Sequence, residues 1–214
     1  MISGYGRDDR ICSYCSLRTF LDLDPKDLKY SSCVIFVDKE EIGSTGANSC
    51  FIENIIKVLL KYLDSLGNNN SKFYSLREVL GNSKMISSDV SAATDRLFKS
   101  VDAPNSNMAR IGYGLCINKY TGSYDKSCAN DANPEYIAYL RKILDDNNIN
   151  FKCNELGKVD IGGGGAIAYI FAKYNMDIVN TDVPVSNMHA PMEIVSKVDL
   201  YETYLFYKVF LKSI

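Results

Sequence analysis

Residues Ser32–Gly46 read SCVIFVDKEEIGSTG. The first seven, Ser32–Asp38, form an apolar run that predicts a buried strand. Glu40 and Glu41 follow side by side. Adjacent carboxylates at the end of a core strand have two explanations, because buried charge is costly unless it is paired or bound to a metal. One is a solvated surface turn, the other a metal site with a catalytic base beside it. Neighbouring side chains on a strand point to opposite faces. The two glutamates can therefore serve one site only where the chain leaves strand geometry, a departure that Gly43 permits.

Working outward, apolar spacing alternates between the periods of helices and strands. Helices are predicted over 10–23, over 50–66 and over 133–148, where Asn133 is a good cap and Pro134 suits the first turn. A closing helix is predicted over 197–214. Strands are predicted over 83–90, 110–120, 149–153 and 176–183, and the glycines of KVDIGGGGAIAYIFAKYN (158–175) lead into a further helix. NNNSK (68–72) marks an exposed loop. Such alternation, with no internal repeat, argues for an α/β layered domain.

At 214 residues the chain has the length of one ordinary α/β domain. Its 46% hydrophobic content is that of a globular protein, and a net charge of −2 without a basic block gives no footing for nucleic acid or an anionic membrane. MISGYGRDDR lacks the apolar stretch of a secretory signal. Glu53, Lys57 and Lys61 interrupt the longest apolar helix, which is too short to span a bilayer. A cytoplasmic protein is expected. The seven cysteines fit a reducing compartment. Cys12 and Cys15 form the lone C-x-x-C, and on a helix they pack at i, i+3 rather than building a four-ligand zinc site.

Acids and the single histidine recur at predicted strand ends: Glu40 and Glu41, Asp89, and His189 in SNMHAP. Open α/β sheets place ligands beyond the carboxyl ends of their strands. Asp8, Glu41, Asp89 and His189 together offer oxygen and imidazole donors that suit zinc, manganese or cobalt. The run Gly162–Gly165 can cradle an anion or merely allow close backbone packing. It lacks the Lys-Ser/Thr of a phosphate loop.

GYGRDDRICSYCSL, VDKEEIGSTG, SSDVSAATD, ARIGYGLCINKYTGS and the long stretch from GKVDIGGGG through SNMHAP to KVDLY resemble, in order, successive motifs of the aspartyl aminopeptidase / aminopeptidase I family of dinuclear zinc metallopeptidases. The resemblance implies a mixed β-sheet sandwiched between helices, a three-layer αβα fold, and release of N-terminal residues from peptide substrates. It implies two zinc ions, with Mn2+ or Co2+ as substitutes, bridged by Asp8. Glu40 would be the general base, Glu41 and His189 ligands of one ion, and Asp89 a ligand of the other. Lys119 and the glycines Gly163 and Gly164 would lie near bound substrate.

Members of that family are about twice this length. Their first half carries another histidine ligand, part of the catalytic sheet and an inserted dimerisation domain. Residues 1–214 thus correspond to the C-terminal part of an incomplete catalytic domain. One ion would keep Asp8, Glu41 and His189, its partner only Asp8 and Asp89. Two expectations follow: a peptidase that works with a separate N-terminal half or as a homo-oligomer, or a catalytically inactive remnant that binds one metal or a protein partner.

Overall fold

The computed structural model describes residues 1–46, 52–67, 75–94, 107–124, 127–155 and 167–214. Among them a mixed sheet runs β1 (Ile2–Gly4), β8 (Glu193–Val195), β7 (Asp177–Ser186), β3 (Leu115–Asn118), β6 (Phe151–Cys153), with β2 (Lys84–Ala92) on the other side of β7. β2 pairs in parallel with β7 from Lys84↔Asp177 to Ala92↔Val185. β3 and β8 both run antiparallel to β7 along its opposite edge. A separate hairpin joins β4 (Tyr120–Ser123) to β5 (Ser127–Asp131).

β7 organises the domain because its residues 178–185 are all buried, as expected of a strand covered on both faces. Val179 packs with α4 (Pro134–Asp146) and α6 (Lys197–Ser213), and Val183 and Val185 pack against α1 (Arg7–Leu21). Ile178 points the other way, toward α3 (Leu76–Gly81) and α5 (Ala168–Ala172). The result is the expected three-layer αβα arrangement.

Helix starts follow their caps. Asn133 accepts a hydrogen bond from the Tyr136 N–H at 2.7 Å with Pro134 in the first turn, and α4 then buries Tyr136, Leu140, Ile143 and Leu144 on one face. Ser196 caps α6 in the same way, and Thr203, Phe206, Tyr207 and Phe210 form its inner stripe. α2 (Ile52–Ser65) is amphipathic as predicted, yet Val58, Leu59, Tyr62 and Leu63 remain exposed.

Three expectations are corrected. Residues 32–38 belong to no strand, and Phe36 is exposed. An apolar run becomes a strand only when a neighbouring strand takes its backbone groups. The strand expected over 110–120 shrinks to Leu115–Asn118. Gly112 and Gly114 turn the chain at φ +89°, and the buried Asp199 carboxylate accepts their N–H groups at 2.7 and 2.8 Å. Asp89 sits inside β2, three residues before its end. The exposed loop predicted at 68–72 lies outside the described residues. Among the described residues no helix is long and apolar enough to cross a membrane.

Candidate functional site

The glutamate pair sits on a 3-10 turn, Glu40–Ile42, flanked by Lys39 at φ 71° and Gly43 at φ 89°. This is the departure from strand geometry that both carboxylates need. Glu40 is half-buried, whereas Glu41 is exposed. Asp8 lies at the start of α1, where it and Asp9 have non-helical backbone angles. His189 follows β7 in a tight turn at φ 62°.

These segments, distant in sequence, converge. His189 Nε2 is 2.9 Å from Asp8 Oδ2 and 3.5 Å from Glu41 Oε2. The donor atoms of Asp8, Glu41 and His189 all lie within 4.8 Å of one another. Bonds of about 2.0–2.1 Å from zinc to nitrogen and oxygen place tetrahedral donors about 3.3 Å apart, so this set fits one zinc ion. Asp89 is not part of the cluster. Its carboxylate accepts the Val90 N–H at 2.8 Å, and the Cys12 thiol donates to its carbonyl at 2.7 Å. Cys12 and Cys15 are both buried on α1, packing as predicted.

Electrostatics marks the same region. Burial, then Glu41, raises Asp8 to about 6 against the opposing effect of His189. Burial raises Glu40 to about 7, with Glu41 and Asp8 adding to it. Asp9 is pushed up to about 8, chiefly by burial, and burial beside Asp182 and Asp9 holds Asp89 well above the ordinary carboxylate range. Asp182, raised by burial to about 7, accepts from Ser91 Oγ at 2.8 Å and from Asn118 Nδ2. The remaining oxygens, Asp9 Oδ1 and Asp182 Oδ1, are buried without a hydrogen-bond partner among the described residues. A basin of crowded, partly unpaired carboxylates is chemistry that a divalent cation would relieve.

Lys119 lies between β3 and β4, exposed and paired with Asp131. Gly163 and Gly164 lie outside the described residues. Sequence reasoning missed three acids. Asp9 is the second aspartate of RDDR. Asp182 is a charge inside the apolar strand MDIVNTDV. Glu193 stands four residues after His189, and nothing in its composition set it apart.

Asp8, Glu40, Glu41 and Asp89 line one end of an open trough of about 2050 Å3. Its walls are largely apolar: Ile35, Phe36, Leu59, Leu63, Met85 and Phe171 contribute. Small-molecule pockets hold about 300–1,000 Å3, so the trough is larger than a pocket of that kind.

A family model described as aminopeptidase I zinc metalloprotease (M18) matches residues 1–211. A probable M18 family aminopeptidase 1 of Clostridium acetobutylicum is 49% identical over 100% of this chain and 45% of its own length. One from Thermotoga maritima is 41% identical over 100% of this chain and 46% of its own. Among solved structures, an M18 aminopeptidase from Thermotoga maritima matches with a TM-score of 0.87 at 42% identity, covering 98% of this chain and 45% of that one. Aminopeptidase I from Clostridium acetobutylicum matches with a TM-score of 0.83 at 46% identity, over 98% and 44%. The chain spans about half the length of the relatives it matches.

Proposed function

The chain belongs to the aminopeptidase I zinc metalloprotease (M18) family, and from that premise we propose that it supplies the C-terminal part of a metallo-aminopeptidase catalytic domain that removes N-terminal residues from peptides. The observation that carries this reading is the convergence of Asp8, Glu41 and His189 beside a half-buried Glu40. Asp8, Glu41 and His189 would hold zinc, with Asp8 and Asp89 offered to a second ion. When bound, zinc supplies Lewis-acid polarisation of the attacking water and the scissile carbonyl. Glu40 takes a proton on its carboxylate and returns it to the leaving amine. Its half-buried place on the turn beside the ligand Glu41 puts that carboxylate next to the proposed ion. Lys119, Gly163 and Gly164 remain the proposed substrate contacts.

The trough and the unpaired edge of β2 are where a further polypeptide segment would dock. Among the described residues no strand pairs with the outer edge of Lys84–Ala92, and such an edge is a template for another strand. A separate N-terminal half of the M18 type is the proposed occupant; a homo-oligomer formed through the same edge is the competing one. The second reading is a remnant without catalysis, in which the Asp8, Glu41 and His189 set holds a single ion.

The test is co-expression with the part of the Clostridium acetobutylicum relative that lies beyond the match. A one-to-one complex that releases N-terminal residues when loaded with zinc is expected. The same complex made with Glu40→Gln should be silent. A complex that forms and binds zinc but shows no turnover toward acidic or apolar N-termini would establish the remnant reading instead.

A further inference from the structure

Glu193 is among the largest fully buried side chains, 2% exposed, yet it is not among the proposed ligands. Its Oε2 accepts the backbone N–H groups of Arg7 and of Asp8, the latter at 3.1 Å. Its Oε1 accepts the backbone N–H of His189 at 2.7 Å. One carboxylate therefore ties together two segments that each deliver a donor to the proposed zinc site. The ladder supports the same junction, since Gly4 of β1 pairs with Glu193 of β8.

Both ligands need such a tie. The His189 side chain is 62% exposed, so packing does little to hold the imidazole, and its direction follows from the backbone. That backbone stands at φ 62°, a region uncommon for residues with a Cβ and retained where the surroundings over-determine it. Asp8 sits where α1 departs from helical angles, so no intrahelical ladder fixes it. A buried carboxylate accepting three N–H bonds from these two sites sets both backbones at once, through charge-assisted bonds that are shorter and stronger than neutral ones.

We propose that Glu193 is a positioning residue that holds Asp8 and His189 in register and so pre-forms the zinc site. This rests on the zinc reading above. Replacing it with glutamine would leave one acceptor oxygen and turn an NH2 group toward N–H donors. Asp199 provides a matched control: it is also a buried carboxylate accepting two backbone N–H groups, those of Gly112 and Gly114, but it ties no proposed ligand.

The experiment is zinc titration of the full chain against a chromophoric chelator, paired with nitrogen-15 spectra of the imidazole. His189 is the only histidine in the chain, so those spectra report on it alone. Glu193→Gln should weaken zinc binding by about 10–100-fold, the range seen for residues that orient metal ligands. It should also move or broaden the His189 resonances before any zinc is added. Asp199→Asn should lower thermal stability while leaving both readouts at wild type. Glu193→Asp, which keeps the charge, carries the test if circular dichroism shows the glutamine variant unfolded, and it should restore part of the affinity. Wild-type affinity and spectra in Glu193→Gln, or equal weakening in Asp199→Asn, would overturn the proposal. Failure of the wild-type chain to bind zinc, or indifference to His189→Ala, would sink the zinc reading instead. The imidazole spectra of the metal-free variants would still decide whether Glu193 sets His189.

Discussion

Where α4 and α6 cover the sheet, Leu115, Ile117, Leu140, Leu144 and Phe206 are fully buried, whereas around the trough Phe36, Leu59 and Tyr62 are 54%, 44% and 59% exposed. Both regions are rich in apolar residues. The difference is a partner. The closed side has two capped helices with complementary stripes. Among the described residues the open side has the amphipathic α2, the segment 32–38 outside any sheet and an unpaired outer edge of β2. Apolar content makes burial favourable, at roughly 25 cal/mol per Å2, but it does not supply the surface to be buried against.

The proposed active-site carboxylates Asp8, Glu40, Glu41 and Asp89 line the trough, so the largest expected effect tests whether closing it completes the site. In a complex with the M18 N-terminal half, Glu40→Gln should lower turnover by about 10²–10⁴-fold with zinc affinity unchanged. Steady-state kinetics and metal titration read the two separately. An equally active variant would remove Glu40 from the mechanism.

Next comes packing. Leu140→Ala on the closed side should cost about 2–5 kcal/mol by urea unfolding, the usual range for a buried leucine. Leu59→Ala should change the isolated chain by less than about 0.5 kcal/mol, as exposed positions do. Adding the N-terminal half should invert the second result, because Leu59 would then be covered and its loss would weaken the complex. If Leu59→Ala is as costly as Leu140→Ala in the isolated chain, the open side is closed in solution by something else, and sedimentation of the chain would show a second copy.

A third effect is a pH dependence at Asp182. Its folded pKa, raised by burial to about 7, lies above the unfolded value of about 4. Its contribution to stability is therefore complete below about pH 4 and is lost as pH rises through 7. With zinc removed by a chelator, wild type should lose thermal stability relative to Asp182→Asn between pH 5 and pH 8. A difference that stays flat over that window would mean the carboxyl titrates normally.

Much of this was legible in the residues. The Asn133-Pro134 start of α4, the buried stripe of α6, the apolar β7 and the cysteine pair on α1 were all readable because local propensity and burial agree there. The family resemblance brought out Asp8, Glu41 and His189, which the fold then gathers within 4.8 Å. Glu193 was not legible, since its role depends on accepting N–H groups from residues 4 and 185 positions away. Asp182 looked like an ordinary charge in a strand until Ser91 and Asn118 were seen to meet it.

By itself the sequence determined where α4 and α6 form, that the apolar β7 is a buried strand, and which residue types could hold a zinc ion, because these depend on nearby residues and side-chain chemistry. Only the tertiary structure decided that 32–38 forms no strand, that Gly112 and Gly114 cut the strand expected over 110–120 to Leu115–Asn118, and that Glu193 ties the Asp8 backbone to that of His189. Each of these depends on which distant backbone groups a segment meets, and a hydrogen bond needs its partner within about 3 Å.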